Sequence, residues 1–186
     1  MIRLKLLTSR LIIRPFTFRD DKDLFEMCSD PLTAYNAGWS PHTDLKVTRN
    51  IITHYMSTEE TMAIILKDSN KLIGTISLYK NNIRKTVNCR ELGFCLNKRY
   101  RNLGYMTEAV EAMLYYGFND LYLDMIMVCH HEKNASSKAV INKFPFVYEG
   151  TLRRYRKLCD GTIVDGIMYS MTKDEFWRDK NERNKA

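Results

Sequence analysis

Apolar positions recur along the chain with two different periods, and the changes of period mark out its elements. Leu11 to Arg14 reads as a first strand closed by Pro15, and FTFRDDKDLFEMCSD as a loop entering a helix with Asp20 or Asp21 as N-cap. Leu45, Val47, Ile51, Ile52 and Tyr55 lie near helical spacing and predict a helix from about Thr43 to Met56. Met62 to Lys67 and Leu72 to Tyr79 are strand-like runs separated by DSNK, whose Asp, Ser and Asn favour a turn, so the pair reads as a hairpin. From Val87 to Asn97 the alternation puts Val87, Cys89, Glu91, Gly93 and Cys95 on one strand face and Leu92, Phe94 and Leu96 on the other. A carboxylate on a half-buried face requires a reason.

NKRYRNLG then breaks the pattern, and Tyr105 to Phe118 returns to helical spacing, with Met106, Val110, Met113 and Leu114 on one side and Gly117 near the end. Met125 to Cys129 predicts another strand, and NASSKAVINKF a helix capped by Asn134. Phe146 to Arg153 and Ile163 to Met171 form a closing antiparallel pair around Asp160-Gly161. This order predicts an α+β fold built on a mixed sheet.

A chain of 186 residues with 45% hydrophobic content supports one well-buried core, so one domain is expected over residues 1–178, followed by a frayed polar tail over 179–186. No run approaches the roughly 18 apolar residues of a membrane helix. The start MIRLKLLTSR lacks the apolar core of a secretory signal, and a cytoplasmic location with no membrane partner is expected. Cys28, Cys89, Cys95, Cys129 and Cys159 are odd in number and scattered, without CxxC or zinc-type spacing, which predicts reduced, packed or inert thiols and no metal. A net charge of +7 is compatible with coenzyme A, ribosomal RNA or an acidic substrate, and equally with a lysine- and asparagine-rich coding background.

Candidate chemistry concentrates where a strand ends in the basic loop KRYRNLG and a helix follows directly. Such a junction offers unpaired amides at a positive dipole end, which suits a phosphate. Gly104 permits close approach or positive φ, so the amides of Arg101, Asn102, Leu103, Gly104, Tyr105 and Met106 can converge on a diphosphate, with Lys98, Arg99 and Arg101 adding charge at the rim. Junctions of this kind are more often structural punctuation, so the surrounding motifs decide.

RNLGYM matches the R/Q-x-x-G-x-G/A signature of the GNAT acetyltransferases, and RNLGYMTEA resembles the GYxTEA form of their ribosomal-protein N-terminal acetyltransferase (RimJ/RimL-like) branch. TSRLIIRPFTFRDDKDLFEM, KLIGTISLY, RELGFCLN, HHEKNASSKAVINKFPFVYEGTLRR and DGIMYSMTKDEF resemble that branch's further blocks, in order, over nearly the whole chain. Two departures stand out: Met106 occupies the last small position of the signature, and Pro145 replaces the usual glycine of K-x-G-F.

The resemblance implies a GNAT (acyl-CoA N-acyltransferase) fold, whose mostly antiparallel sheet of about seven strands is flanked by helices and splayed in the middle to hold CoA. It implies an acetyl-CoA-dependent N-acetyltransferase acting on a primary amine, either a protein N-terminus or a small molecule, by direct attack in a ternary complex. By position, Phe94 and Leu96 would offer backbone groups to the pantetheine arm as an added strand. The reaction removes a proton from the amine and returns one to the thiolate. Glu91 matches an acidic position of the branch and is the candidate base; the alternative is a surface or salt-bridged carboxylate.

Ser137, in N-x-x-S, is the candidate acid near the CoA sulfur, and Asn134 belongs to the same cofactor site; the plain readings are a first-turn residue and an N-cap. Many GNAT enzymes place a tyrosine seven residues after that asparagine, where this chain has Ile141. His130 and His131, placed just after a strand, are read as structural. Trp39 lies in the region that borders the acceptor pocket in the family, and either lines that pocket or packs. The branch allows a homodimer and a ribosomal or other protein substrate. Two other readings are a non-catalytic acetyl-CoA sensor, motivated by Met106 and Pro145, and a nucleic-acid binder, which no motif supports.

Overall fold

Local capping chemistry sets the start of most helices in the computed structural model, which describes residues 5–80, 83–183 and 185. Strands β1 (Leu6–Leu7) and β2 (Leu11–Pro15) come first. Arg14 Nη2 then pairs with Asp20 Oδ1 at 2.7 Å while the Thr17 amide donates to Asp20 Oδ2 at 2.7 Å, which turns the chain into α1 (Asp21–Cys28). Helix α2 (Pro31–Ala37), too short for its apolar pattern to register, starts at Asp30, whose side chain accepts from the Thr33 amide, with Pro31 at the first turn. Asp44 caps α3 (Leu45–Thr58) through the Val47 amide at 3.0 Å.

The hairpin β3 (Thr61–Leu66) and β4 (Lys71–Lys80) follows, and then β5 (Cys89–Leu96). Helix α4 (Tyr105–Tyr115) does not run on to Phe118 as an α-helix: the Leu121 amide bonds to the Tyr116 carbonyl, and Tyr116–Asp120 forms one π-helical turn. Strand β6 (Met125–His131), helix α5 (Ala135–Ile141), strands β7 (Val147–Lys157) and β8 (Ile163–Thr172) and helix α6 (Lys173–Arg183) complete the chain. Residues 179–183, expected to fray, continue α6, where Arg183 Nε meets Asp179 Oδ2 at 2.8 Å one helical turn away; residues 184 and 186 of that expected tail lie outside the described residues.

Among the described residues the strands form one mixed sheet of eight, in the order β1-β2-β3-β4-β5-β6-β8-β7. The count exceeds the expected seven because β1 is two residues long and too short for a period to register. β5 runs parallel to β6, and this ladder extends from Cys89↔Met125 to Leu92↔Val128, whereas β6 remains paired with antiparallel β8 as far as His131↔Gly166. Strand β7 ends the order; it is exposed along most of its length, and Gly150 (φ 151°) and Arg154 (φ 55°) interrupt its extended backbone.

Contacts group the chain into two compact units. In the unit containing residues up to 77, 94–113 and 157–162, the sheet and α1 and α3 bury Phe16, Leu24, Met27, Cys28, Ile52, Ala63, Ile65 and Leu72 together. In the unit containing 78–93, 114–156 and the residues from 163 on, Phe118 packs on Phe176 with ring centroids 5.1 Å apart, and Ile126, Val128, Met168 and Met171 are buried on β6 and β8. Among the described residues no helix is long and apolar enough to cross a membrane.

Candidate active site

The loop after β5 is held by its own side chains and by partners on α1 and at the start of α2. Asn97 is buried; its amide donates to the Ile73 carbonyl at 2.8 Å and its Oδ1 accepts from the Arg99 amide at 3.1 Å, which starts the single turn Lys98–Tyr100. The three loop cations, expected to serve as rim charge, each have a partner within the protein. Lys98 pairs with Asp30 at 2.5 Å, Arg99 with Glu26 at 3.3 Å, and Arg101 donates to Thr33 Oγ1 at 2.9 Å and to the Leu96 carbonyl at 3.3 Å. Lys98 holds the Asp30 carboxyl at about 2. The cations therefore build the loop more than they charge its rim.

Asn102 (φ 63°) and Gly104 (φ 80°) both adopt the left-handed region, and glycine is the residue that does so without strain. Glu108 N to Gly104 O, at 3.0 Å, is a helix-opening bond, so the Tyr105 and Met106 amides ahead of it have no helical acceptor. This is a geometry in which backbone donors and a helix dipole meet an anion. Met106 is buried, so its bulk points into the core and leaves the loop's outer surface to its backbone.

A second feature lies in the partners of the acidic residue of RNLGYMTEA. Glu108, in the first turn of α4, receives Thr8 Oγ1 at 2.6 Å, Ser9 Oγ at 3.0 Å, the Arg10 amide at 2.8 Å and Arg10 Nε at 2.7 Å. Burial pushes this carboxyl up, but the four donors together outweigh it and hold the group at about 2. Arg10 also lies 4.4 Å over the Tyr105 ring and donates to the Leu103 carbonyl at 3.0 Å. The segment between β1 and β2 thus clasps the loop and the start of α4.

In the other unit, Glu91 is buried on β5, with Oε1 accepting a hydrogen bond from the Tyr79 hydroxyl at 3.1 Å. Burial raises its pKa, while the Tyr79 hydrogen bond and the nearby charge of Arg156 pull it part of the way back. Burial and Glu91 itself push the Cys129 thiol up to about 12, so that group stays protonated. The five cysteines are free; Cys159 is exposed rather than packed.

Asn134 caps α5, its Oδ1 accepting from the Ser137 amide at 3.1 Å and from Ser136 Oγ at 2.8 Å. Ser137 is half-buried, and its hydroxyl has no hydrogen bond among the described residues. No hydrogen bond joins Ser137 to Glu91 among them either. His130 and His131 lie within β6, not beyond it, and both are buried; His130 Nδ1 meets the His131 carbonyl at 2.9 Å and its ring stacks on Tyr169. Trp39 follows α2 and packs against the core cluster of its own unit, its Nε1 buried without a partner among the described residues.

The sequence profile of the acetyltransferase (GNAT) domain matches residues 10–147, which include β2, β5, the loop, α4 and α5. The chain belongs to the GNAT acetyltransferase family. The uncharacterized N-acetyltransferase p20 of Bacillus licheniformis is 31% identical to it over 176 residues, 92% of this chain and 97% of that one. The crystal structure of a GNAT-family acetyltransferase from Bacillus anthracis superposes with a TM-score of 0.83 at 27% identity, covering 92% of this chain and all of that one. RimL, the ribosomal L7/L12 alpha-N-protein acetyltransferase, solved in complex with coenzyme A, shares the fold at 17% identity with a TM-score of 0.78, covering 91% and 98%.

This GNAT acetyltransferase is therefore an enzyme of acetyl transfer from acetyl-CoA. Its loop has features compatible with that cosubstrate: the left-handed Gly104 and the open helix start leave backbone amides of the kind a diphosphate would take. Its second departure from the family pattern is also accommodated: the Phe146 amide bonds to the Phe144 carbonyl at 2.8 Å in a three-residue turn about Pro145, which uses proline's fixed φ and asks nothing of its missing N–H.

Proposed function

We propose that this GNAT acetyltransferase, as a RimJ/RimL-like enzyme, acetylates a primary amine, a protein N-terminus or a small molecule, by direct attack in a ternary complex. The observation that carries the reading is Glu91: a buried strand carboxylate whose pKa is raised and whose position is fixed by a hydrogen bond. A carboxylate in that state can take the proton from an incoming ammonium and leave a neutral nucleophile. Bound acetyl-CoA supplies a thioester open to amine attack. The backbone of Phe94 and Leu96 lines the pantetheine arm, the amides from Arg101 to Met106 and the Asn134 region hold the rest, and Ser137 returns a proton to the sulfur. Trp39 stands at the acceptor side.

The printed activity of one fold neighbour, a ribosomal L7/L12 alpha-N-protein acetyltransferase, supports a protein amine as acceptor; a cytoplasmic location and a homodimer belong to the same proposal. The burial of Met106 and the turn at Pro145 support the catalytic reading over a non-catalytic sensor. The test is Glu91→Gln assayed by CoA-thiol release with peptides of varied N-terminus and an amine panel. Turnover is expected to fall at least ~100-fold, with CoA affinity unchanged; unaltered turnover removes Glu91 from the chemistry.

A further inference from the structure

Tyr79, near the end of β4, reaches Glu91 by way of a glycine. Glu91 and Gly93 are two residues apart on β5 and so share a face. The Tyr79 ring lies over Gly93: a Cβ at residue 93 would stand 2.8 Å from Tyr79 Cε1 and 3.3 Å from its hydroxyl oxygen. The missing side chain is thus the seat on which the ring rests, and the seat brings the hydroxyl to 3.1 Å from Glu91 Oε1. Oε2 of Glu91 has no hydrogen bond among the described residues.

We propose that Tyr79, seated on Gly93, is a positioning residue for Glu91: it fixes Oε1 and so presents Oε2 to the acceptor amine. The proposal rests on Glu91 being the base. Tyr79 can play only the donor's part, because burial and the Glu91 charge push its phenol far above its ordinary range. A donor to one oxygen stabilises the ionised carboxylate, so it opposes the rise that burial imposes and keeps the group ionised in the working range of pH. It also removes the rotation that would otherwise spread Oε2 over several positions, a loss of orientation that catalysis feels directly.

The other groups facing Glu91 do not substitute for it. Cys89 on the same strand, Cys129 on β6 and Tyr155 on β7 all have raised pKa values and are neutral; Arg156 on β7 adds a positive charge, a weaker influence on Glu91 than the Tyr79 bond. No proton is transferred to or from Tyr79 in the step: the amine proton moves to Glu91 Oε2 and the Tyr79 proton stays on its oxygen.

Tyr79→Phe keeps the ring on its seat and deletes only the donor. In that variant kcat is expected to fall about ten-fold and the acid limb of kcat to move up by about one pH unit, the effect of one hydrogen bond to a charged group. KM for acetyl-CoA is expected to hold. Titration of the Glu91 carboxyl by 13C NMR in the unliganded protein should show the same upward move, and Gly93→Ala, which displaces the ring, should move it in the same direction. A Glu91 titration curve identical in parent and Tyr79→Phe overturns the proposal, whatever the rates do. If the titration moves and Glu91→Gln still turns over at the parent rate, the positioning contact stands and the base assignment fails.

Discussion

The clasp between Glu108 and the segment Thr8 to Arg10 makes Glu108→Gln a sharp test of how the loop is held. The carboxyl lies at about 2 against an ordinary 4.5, and at about 1.36 kcal/mol per pH unit that difference is worth at most roughly 3 kcal/mol. Arg10 is 46% exposed where Glu108 is 15%, so solvent weakens the pair, and about 2 kcal/mol is the more realistic loss on neutralising it. For a chain of this size that corresponds to a fall in Tm of about 6 °C at pH 7. The depressed pKa fixes the pH dependence: the contribution is complete above about 4.5 and disappears as pH falls towards 2, so the melting curves of parent and variant should converge over that interval.

Arg10 also holds the Leu103 carbonyl, and its release should weaken CoA binding roughly ten-fold, about 1.4 kcal/mol, by calorimetric titration. A parent-like Tm, or a gap between the two proteins that is constant down to pH 2, would refute the reasoning.

Two further substitutions separate the cradle from the chemistry. Gly104→Val puts a β-branched residue at φ 80° and a Cβ 3.3 Å from Arg10 Nη2; it should abolish CoA binding while leaving far-UV dichroism intact, and retained binding would show that the loop is not the diphosphate site. Ser137→Ala leaves the Asn134 cap in place, since the cap uses the Ser137 amide, so stability should stay within about 0.5 kcal/mol of the parent while kcat falls at least about ten-fold. Unchanged kcat reduces Ser137 to a helix residue.

Periodicity made the strand, loop and helix around Gly104 readable, because each is a local matter of alternation, a break, and a return at helical spacing. Apolar spacing from Leu45 to Tyr55 made α3 readable, and capping by Asn134 made α5 readable in the same local way. α2 carried an equally local signal, Asp30-Pro31 with Thr33, and was missed by reading only the apolar pattern. What sequence could not supply were pairings between distant residues. Lys98 and Arg101 find Asp30 and Thr33, each 68 residues away, and Glu108 finds Thr8 at a separation of 100, distances over which no spacing rule operates. Tyr79 and Glu91 are 12 residues apart, but their meeting depends on strand register and on the absence of a side chain at Gly93.

Strand β7 bears on how the protein behaves in bulk. A strand at the end of a sheet is a template on which another chain can continue the ladder, and eleven residues, most of them exposed, would be a long one. Here Gly150 (φ 151°) and Arg154 (φ 55°) depart from extended backbone, and the same strand carries the exposed like charges Arg153, Arg154, Arg156 and Lys157. Two such edges brought together would repel in charge, which disfavours the stacking of molecules edge to edge.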